Sequence, residues 1–159
     1  MDPFILTLET LRTEDDPLVG GKAANLGKLL SARFPVPSGI CLTTAAFRTW
    51  VAPCQEPISN LLSRPDRTVP ARAQEAADEI ATRLEGRGVP PSVEEALRAA
   101  LSTRVATSTL AVRSSSTAED RADVSFAGQY ETILGVRGRR AILDAVLVCW
   151  RSFFSPMHW

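Results

Sequence analysis

Neither sign of charge prevails in this sequence: 18 Lys and Arg face 18 Asp and Glu, for a formal net charge of zero. That excludes a broad field of the kind that gathers nucleic acid or an anionic membrane, so any anion site has to be built locally. Cysteine is scarce as well, with three in 159 residues. Cys41, Cys54 and Cys149 are odd in number and lack CxxC spacing, which argues against a disulfide framework or a zinc site and points to reduced thiols in a cytoplasmic protein. Histidine occurs once, at His158, outside every motif described below, where a surface role outweighs a catalytic one. No apolar run approaches the length of a transmembrane helix, and the apolar part of MDPFILTLETL is too short for a signal peptide. There is no internal repeat and no low-complexity segment.

What is present suits one domain, or two small lobes, with a real core. A short strand-like opening precedes GGKAANLGKLLSARF, a helix after a glycine turn with Ala23, Leu26, Leu29 and Leu30 on one face. FPVPSGICLTT predicts an extended segment continued by a strand at Ile40 to Leu42. Thr43 or Thr44 then caps a helix through Phe47 and Trp50. Residues 52–70, with four prolines, read as a long surface connection with room for a short helical turn. Ala73, Ala76, Ala77, Ile80 and Leu84 predict an amphipathic helix, and Ser92 with Glu95 a capping box opening another after Pro91. A strand, a loop and a second strand follow, then a final helix with Ile142, Ala145, Val146, Cys149, Trp150 and Phe153 at helical spacing. The expected class is α+β (α/β).

The segment TLAVRSSSTAEDRADVSFAGQYETILGV, residues 109–136, carries the chemistry. Arg113 closes an apolar run and offers a planar donor fork suited to phosphate oxygens, with Ser114, Ser115, Ser116 and Thr117 as neutral donors. The alternative pairs Arg113 with Glu119 or Asp120 in a structural salt bridge. Those two acids could also meet a metal, although a solvated acidic turn is the simpler reading. Gly128, within SFAGQ, permits a loop to fold closely over a ligand, or simply a hairpin turn. Lys22 lies at a helix start, where the backbone already presents positive charge; a phosphate would resolve that conflict, and Gly20 and Gly21 would let it approach. A solvated lysine after a turn is the alternative. The pattern is not a Walker A loop, because Asp16 and Ala23 stand where that motif needs glycine and Ser or Thr.

GGKAANLGKL, FPVPSGICLTTAAF, LAVRSSSTAED, SFAGQYETILGV and the helix ending in CWRSFF together resemble the N-terminal nucleotide-binding domain shared by phosphoenolpyruvate synthase, pyruvate phosphate dikinase and rifampicin phosphotransferase. The resemblance runs through nearly the whole chain, here taken as residues 1–159. It implies the N-terminal lobe of an ATP-grasp-like site in which Lys22 and Arg113 contact ATP phosphates and Gly128 and Thr132 lie at the nucleotide. It further implies that this region is about the first half of that domain. Magnesium ligands would come from the second half, and the phosphate-carrying histidine from a swivelling domain. The expected activity is therefore one part of an ATP-dependent phosphotransferase, silent in isolation, with a catalytically silent nucleotide-binding or regulatory module acting through a partner protein as the alternative. The aromatic end WRSFFSPMHW is expected to be covered by self-association or by a partner bearing the second half and a phosphohistidine domain. The chain would then be a shortened form of a longer one or a natural half-protein.

Overall fold

Strand β1, Ile5–Thr7, lies antiparallel to β2, Ile40–Leu42, with Leu6 opposite Cys41. The structure, a computed structural model, describes residues 3–63, 69–101, 108–116 and 131–156. Helix α1, Asp16–Ser31, fills the connection between these strands, with Pro17 tolerated in its first turn. It is one helix only in outline, because Gly20 sits inside it at φ 74° and ψ 165° and restarts it. Of the face expected inward, Ala23 is buried and Leu26 and Leu30 pack against the same cluster, but Leu29 is 41% exposed, and Val19, Ala24 and Gly27 are buried beside Ala23. Close packing explains the choice of small residues, since a β-carbon on Gly27 would lie 3.0 Å from that of Leu11.

Thr43 occupies the position before α2, Thr44–Val51, with extended backbone as a cap requires. Its hydroxyl nevertheless donates to the Pro3 carbonyl at 2.6 Å, tying down the start of the chain rather than the helix. The expected surface connection over 52–70 is corrected in part. A short 3-10 turn leads into α3, Gln55–Leu62, whose Ile58 and Leu61 are buried, and Pro57 fits because it falls in the first turn. Helix α4, Pro70–Leu84, buries the five apolar residues that its periodicity predicts. In α5, Pro91–Leu101, the expected capping box is not formed. The helix already includes Ser92, the Pro90 carbonyl accepts the first N–H groups, and Glu95 pairs with Arg98 instead.

Strands β3, Leu110–Arg113, and β4, Thr132–Val136, form a second antiparallel pair. Leu110 faces Val136 and Val112 faces Ile133, so the register shifts by one residue between them. A bulge at Leu134 and Gly135 absorbs the extra residue, with Gly135 at φ 73°. That is why Ile133 and Val136, three apart, both reach the core while Leu134 is 75% exposed. Helix α6, Gly138–Ser152, packs Ile142 and Ala145 against this hairpin and Val146 and Trp150 against α2, α3, α4 and α5.

The molecule is thus α+β, two short antiparallel ladders among six helices in the described residues. The aromatic end is largely covered from within. Phe47 of α2 has its ring centroid 6.1 Å from Trp150, 5.5 Å from Phe153 and 6.0 Å from Phe154, and Trp50 lies 5.3 Å from Trp150. The chain's own α2 therefore does much of the covering that was expected of a partner. Met157, His158 and Trp159 lie outside the described residues.

Candidate functional site

Arg113 ends β3 directly opposite Thr132, which begins β4. Opposed residues in an antiparallel pair share a face, and both are exposed, so guanidinium and hydroxyl stand side by side toward solvent. Among the described residues Arg113 has no carboxylate partner. Glu119 and Asp120, its alternative partners, lie outside the described residues, as do Thr117, Gly128 and the rest of SFAGQ.

The chain turns away from β3 through three serines. The Ser114 N–H donates to the Glu131 carbonyl at 3.2 Å, which keeps the hairpin closed for one residue more. Ser114 is only 4% exposed, and its hydroxyl has no hydrogen-bond partner among the described residues. Ser115 and Ser116 then meet α1. The Gly21 N–H donates to the Ser116 carbonyl at 3.1 Å, and the Ala23 N–H to the Ser115 hydroxyl at 3.0 Å.

This contact corrects the expected use of the glycines. What comes close to Gly20 is the protein's own backbone: a β-carbon there would lie 2.5 Å from the Ser115 carbonyl oxygen. Two N–H groups that a restarting helix leaves unsatisfied are likewise taken by Ser115 and Ser116. The amides at Gly21 and Ala23 are therefore engaged internally, and the case for an anion rests on side chains.

Lys22 stands between those two anchored amides and is half-buried. Its ammonium lies within electrostatic reach of Cys149 on α6. Burial pushes that thiol up to about 11, the Glu131 carboxylate adds to the rise, and the Lys22 charge opposes it. The Cys149 Sγ also reaches the Glu131 carbonyl at 3.7 Å. The restart of α1, the end of β3, the start of β4 and one turn of α6 therefore meet at one corner, with Lys22 on the first, Arg113 on the second and Thr132 on the third; Arg113 and Thr132 face solvent, while the Lys22 charge reaches Cys149 on the α6 side. Chemically the corner offers an ammonium, a guanidinium fork and hydroxyls, a donor set that fits phosphate oxygens. Among the described residues no group of three or more His, Cys, Asp or Glu could hold a metal ion.

The whole of this corner falls within a known sequence pattern. A family model for the AMP/ATP-binding domain of pyruvate phosphate dikinase matches residues 16–157. The chain belongs to this family. Among curated proteins, it is 33% identical to the phosphoenolpyruvate synthase of Pyrococcus furiosus, over 96% of this chain and 23% of that protein. A probable phosphoenolpyruvate synthase of Archaeoglobus fulgidus is 39% identical over 96% of the chain and 21% of its own length. The rifampicin phosphotransferase of Streptomyces sviceus is 38% identical over 96% and 18%. The chain thus spans about a fifth of the length of these relatives. As a member of the pyruvate phosphate dikinase AMP/ATP-binding family, it is a nucleotide-binding domain of the phosphoenolpyruvate synthase and dikinase type. Among the described residues no helix is long and apolar enough to cross a membrane.

Sequence reasoning picked out the residue types at this corner but not the part played by Ser115 and Ser116. The hydroxyl run was the signal, and it read as a set of ligand donors.

Proposed function

We propose that this chain is the ATP-grasp-like, phosphate-contacting lobe of a dikinase-type phosphotransferase, acting in the cytoplasm, with ATP as its ligand. Lys22 and Arg113 contact the phosphates, Thr132 adds a neutral donor, and Gly128 admits the nucleotide to the backbone. What supports this reading is that the backbone on both sides of Lys22 is bonded to the serines that follow Arg113, itself opposite Thr132, in a domain whose family is defined by AMP/ATP binding.

In a phosphoryl transfer little covalent chemistry falls to the protein, and positioning with electrostatic stabilisation does most of the catalysis. The Arg113 fork can hold two phosphate oxygens in a fixed plane, and the Lys22 ammonium supplies a second positive charge where negative charge develops. Magnesium, when bound with ATP, would neutralise phosphate charge. Its protein ligands, like the histidine that accepts the phosphoryl group, belong to another domain or a partner chain in this reading.

Titration calorimetry with ATP tests it. Arg113→Ala removes charge-assisted hydrogen bonds of about 1.5–3 kcal/mol each, so affinity should fall about tenfold or more. Unchanged affinity in a folded variant would return Arg113 to a structural role. A folded chain that binds ATP but, joined to a chain carrying the second half and the phosphohistidine domain, supports no phosphoryl transfer would favour the catalytically silent module acting through a partner.

A further inference from the structure

Ser115 and Ala23 are 92 residues apart in sequence, yet the Ser115 hydroxyl accepts the Ala23 N–H at 3.0 Å. The next carbonyl along, that of Ser116, accepts the Gly21 N–H at 3.1 Å. These two bonds bracket Lys22. The segment that makes them continues directly from Arg113, with only Ser114 between. The path from one cation to the other is thus three peptide units and a single hydrogen bond.

The helix needs such a partner. Gly20 leaves helical geometry, so the restarted part of α1 begins with N–H groups that have no regular carbonyl four residues back. A Ser hydroxyl is a usual cap for such a donor, but here it is supplied from a distant segment rather than from the preceding residue. The approach is possible because position 20 lacks a β-carbon, which would otherwise stand 2.8 Å or less from both the Ser115 and Ser116 backbones.

We propose that Ser115 is a positioning residue: with the Ser116 carbonyl it clasps the backbone on both sides of Lys22, holding the ammonium in fixed register with the Arg113 guanidinium. This rests on the reading of Lys22 and Arg113 as phosphate contacts and adds how the pair is kept ready. A polyphosphate then meets two cations already in place, and less freedom is lost on binding.

Cys149 reports the position of Lys22 without any nucleotide, because the lysine charge favours its thiolate while Glu131 and burial oppose it. Ser115→Ala, Ser115→Thr and Lys22→Ala are compared in the full chain by alkylation of Cys149 with iodoacetamide from neutral to alkaline pH, followed by peptide mass mapping and ATP titration. Lys22→Ala should move the alkylation profile to higher pH. Ser115→Ala should move it the same way and weaken ATP binding about three- to tenfold, the loss of one hydrogen bond's worth of ordering. Ser115→Thr, which keeps the hydroxyl, should behave as wild type in both. A Ser115→Ala profile equal to wild type, where Lys22→Ala does shift it, would overturn the clasp. A shifted profile with ATP affinity unchanged in both alanine variants would support the clasp and overturn the phosphate reading instead. Should Ser115→Ala not fold, Ser115→Cys, with its poorer acceptor, takes its place under the same outcomes.

Discussion

Gly20 holds the chain at φ 74° and ψ 165°, in a region that only glycine enters without strain. Two effects therefore oppose any other residue there, backbone strain and collision with the Ser115 carbonyl, whose oxygen would lie 2.5 Å from a new β-carbon. Gly135 separates them. It also has a positive φ, 73°, but nothing stands within 4 Å of its would-be β-carbon. Gly20→Ala should lose about 1–3 kcal/mol of stability from strain alone, and more from the clash. In thermal denaturation that is roughly 2–12 °C for a chain of this size. Gly135→Ala should lose only about 1 kcal/mol. Equal losses at the two positions would mean that the approach of Ser115 contributes nothing. The same comparison bears on the site, since Gly20→Ala should also release the clasp on Lys22.

Helices α2 and α6 meet through aromatic rings, and Phe47 is the ring they share: it lies 5.5–6.1 Å from Trp150, Phe153 and Phe154. The same α6 carries Cys149, one residue before Trp150, beneath the start of β4. Phe47→Ala should therefore cost about 3 kcal/mol, the lower end for such truncations because the ring is only half-buried. Loss of near-ultraviolet circular dichroism should accompany it, and an unchanged unfolding free energy would show that the rings meet without mutual stabilisation. Elements of this kind were legible where periodicity was clean: the alanine stripe of α4 and the apolar stripe of α6 each predict their helix and its buried face. Prolines hid α3, because Pro57 reads as a breaker until it is known to lie in a first turn. Caps failed for another reason, since the Thr43 hydroxyl was engaged by Pro3, a partner 40 residues away in sequence. The site shows the same division. Lys22 and Arg113 were visible as cations beside glycines and hydroxyls. That Ser115 joins them depends on a tertiary contact that no local pattern encodes.

Over the molecule as a whole, the two buried thiols tie stability to pH on the alkaline side. Cys41 lies among Leu8, Leu11, Val19, Ala23 and Ala24, and burial there pushes its thiol from the ordinary 9.0 to about 12. Cys149, beside the hairpin, is pushed to about 11, first by burial and then by Glu131, with Lys22 opposing. In the unfolded chain both would release their protons near pH 9. Between that point and the folded values, the folded state holds more protons than the unfolded one, so rising pH favours unfolding. The contribution is fully present below about pH 9 and is lost progressively as pH rises through about 11 for Cys149 and about 12 for Cys41. Each thiol adds up to about 1.4 kcal/mol per pH unit to that slope. Lysines and tyrosine also ionise in this range, so the measurement is a difference: urea unfolding of wild type against Cys41→Ala with Cys149→Ala, at a series of pH values from neutral upward. The double variant starts from a different stability at neutral pH, but its alkaline slope should be shallower. Parallel slopes would mean that both thiols ionise as readily in the folded protein as in the unfolded chain, and that water reaches Cys149 and the corner it shares with Lys22 and Glu131.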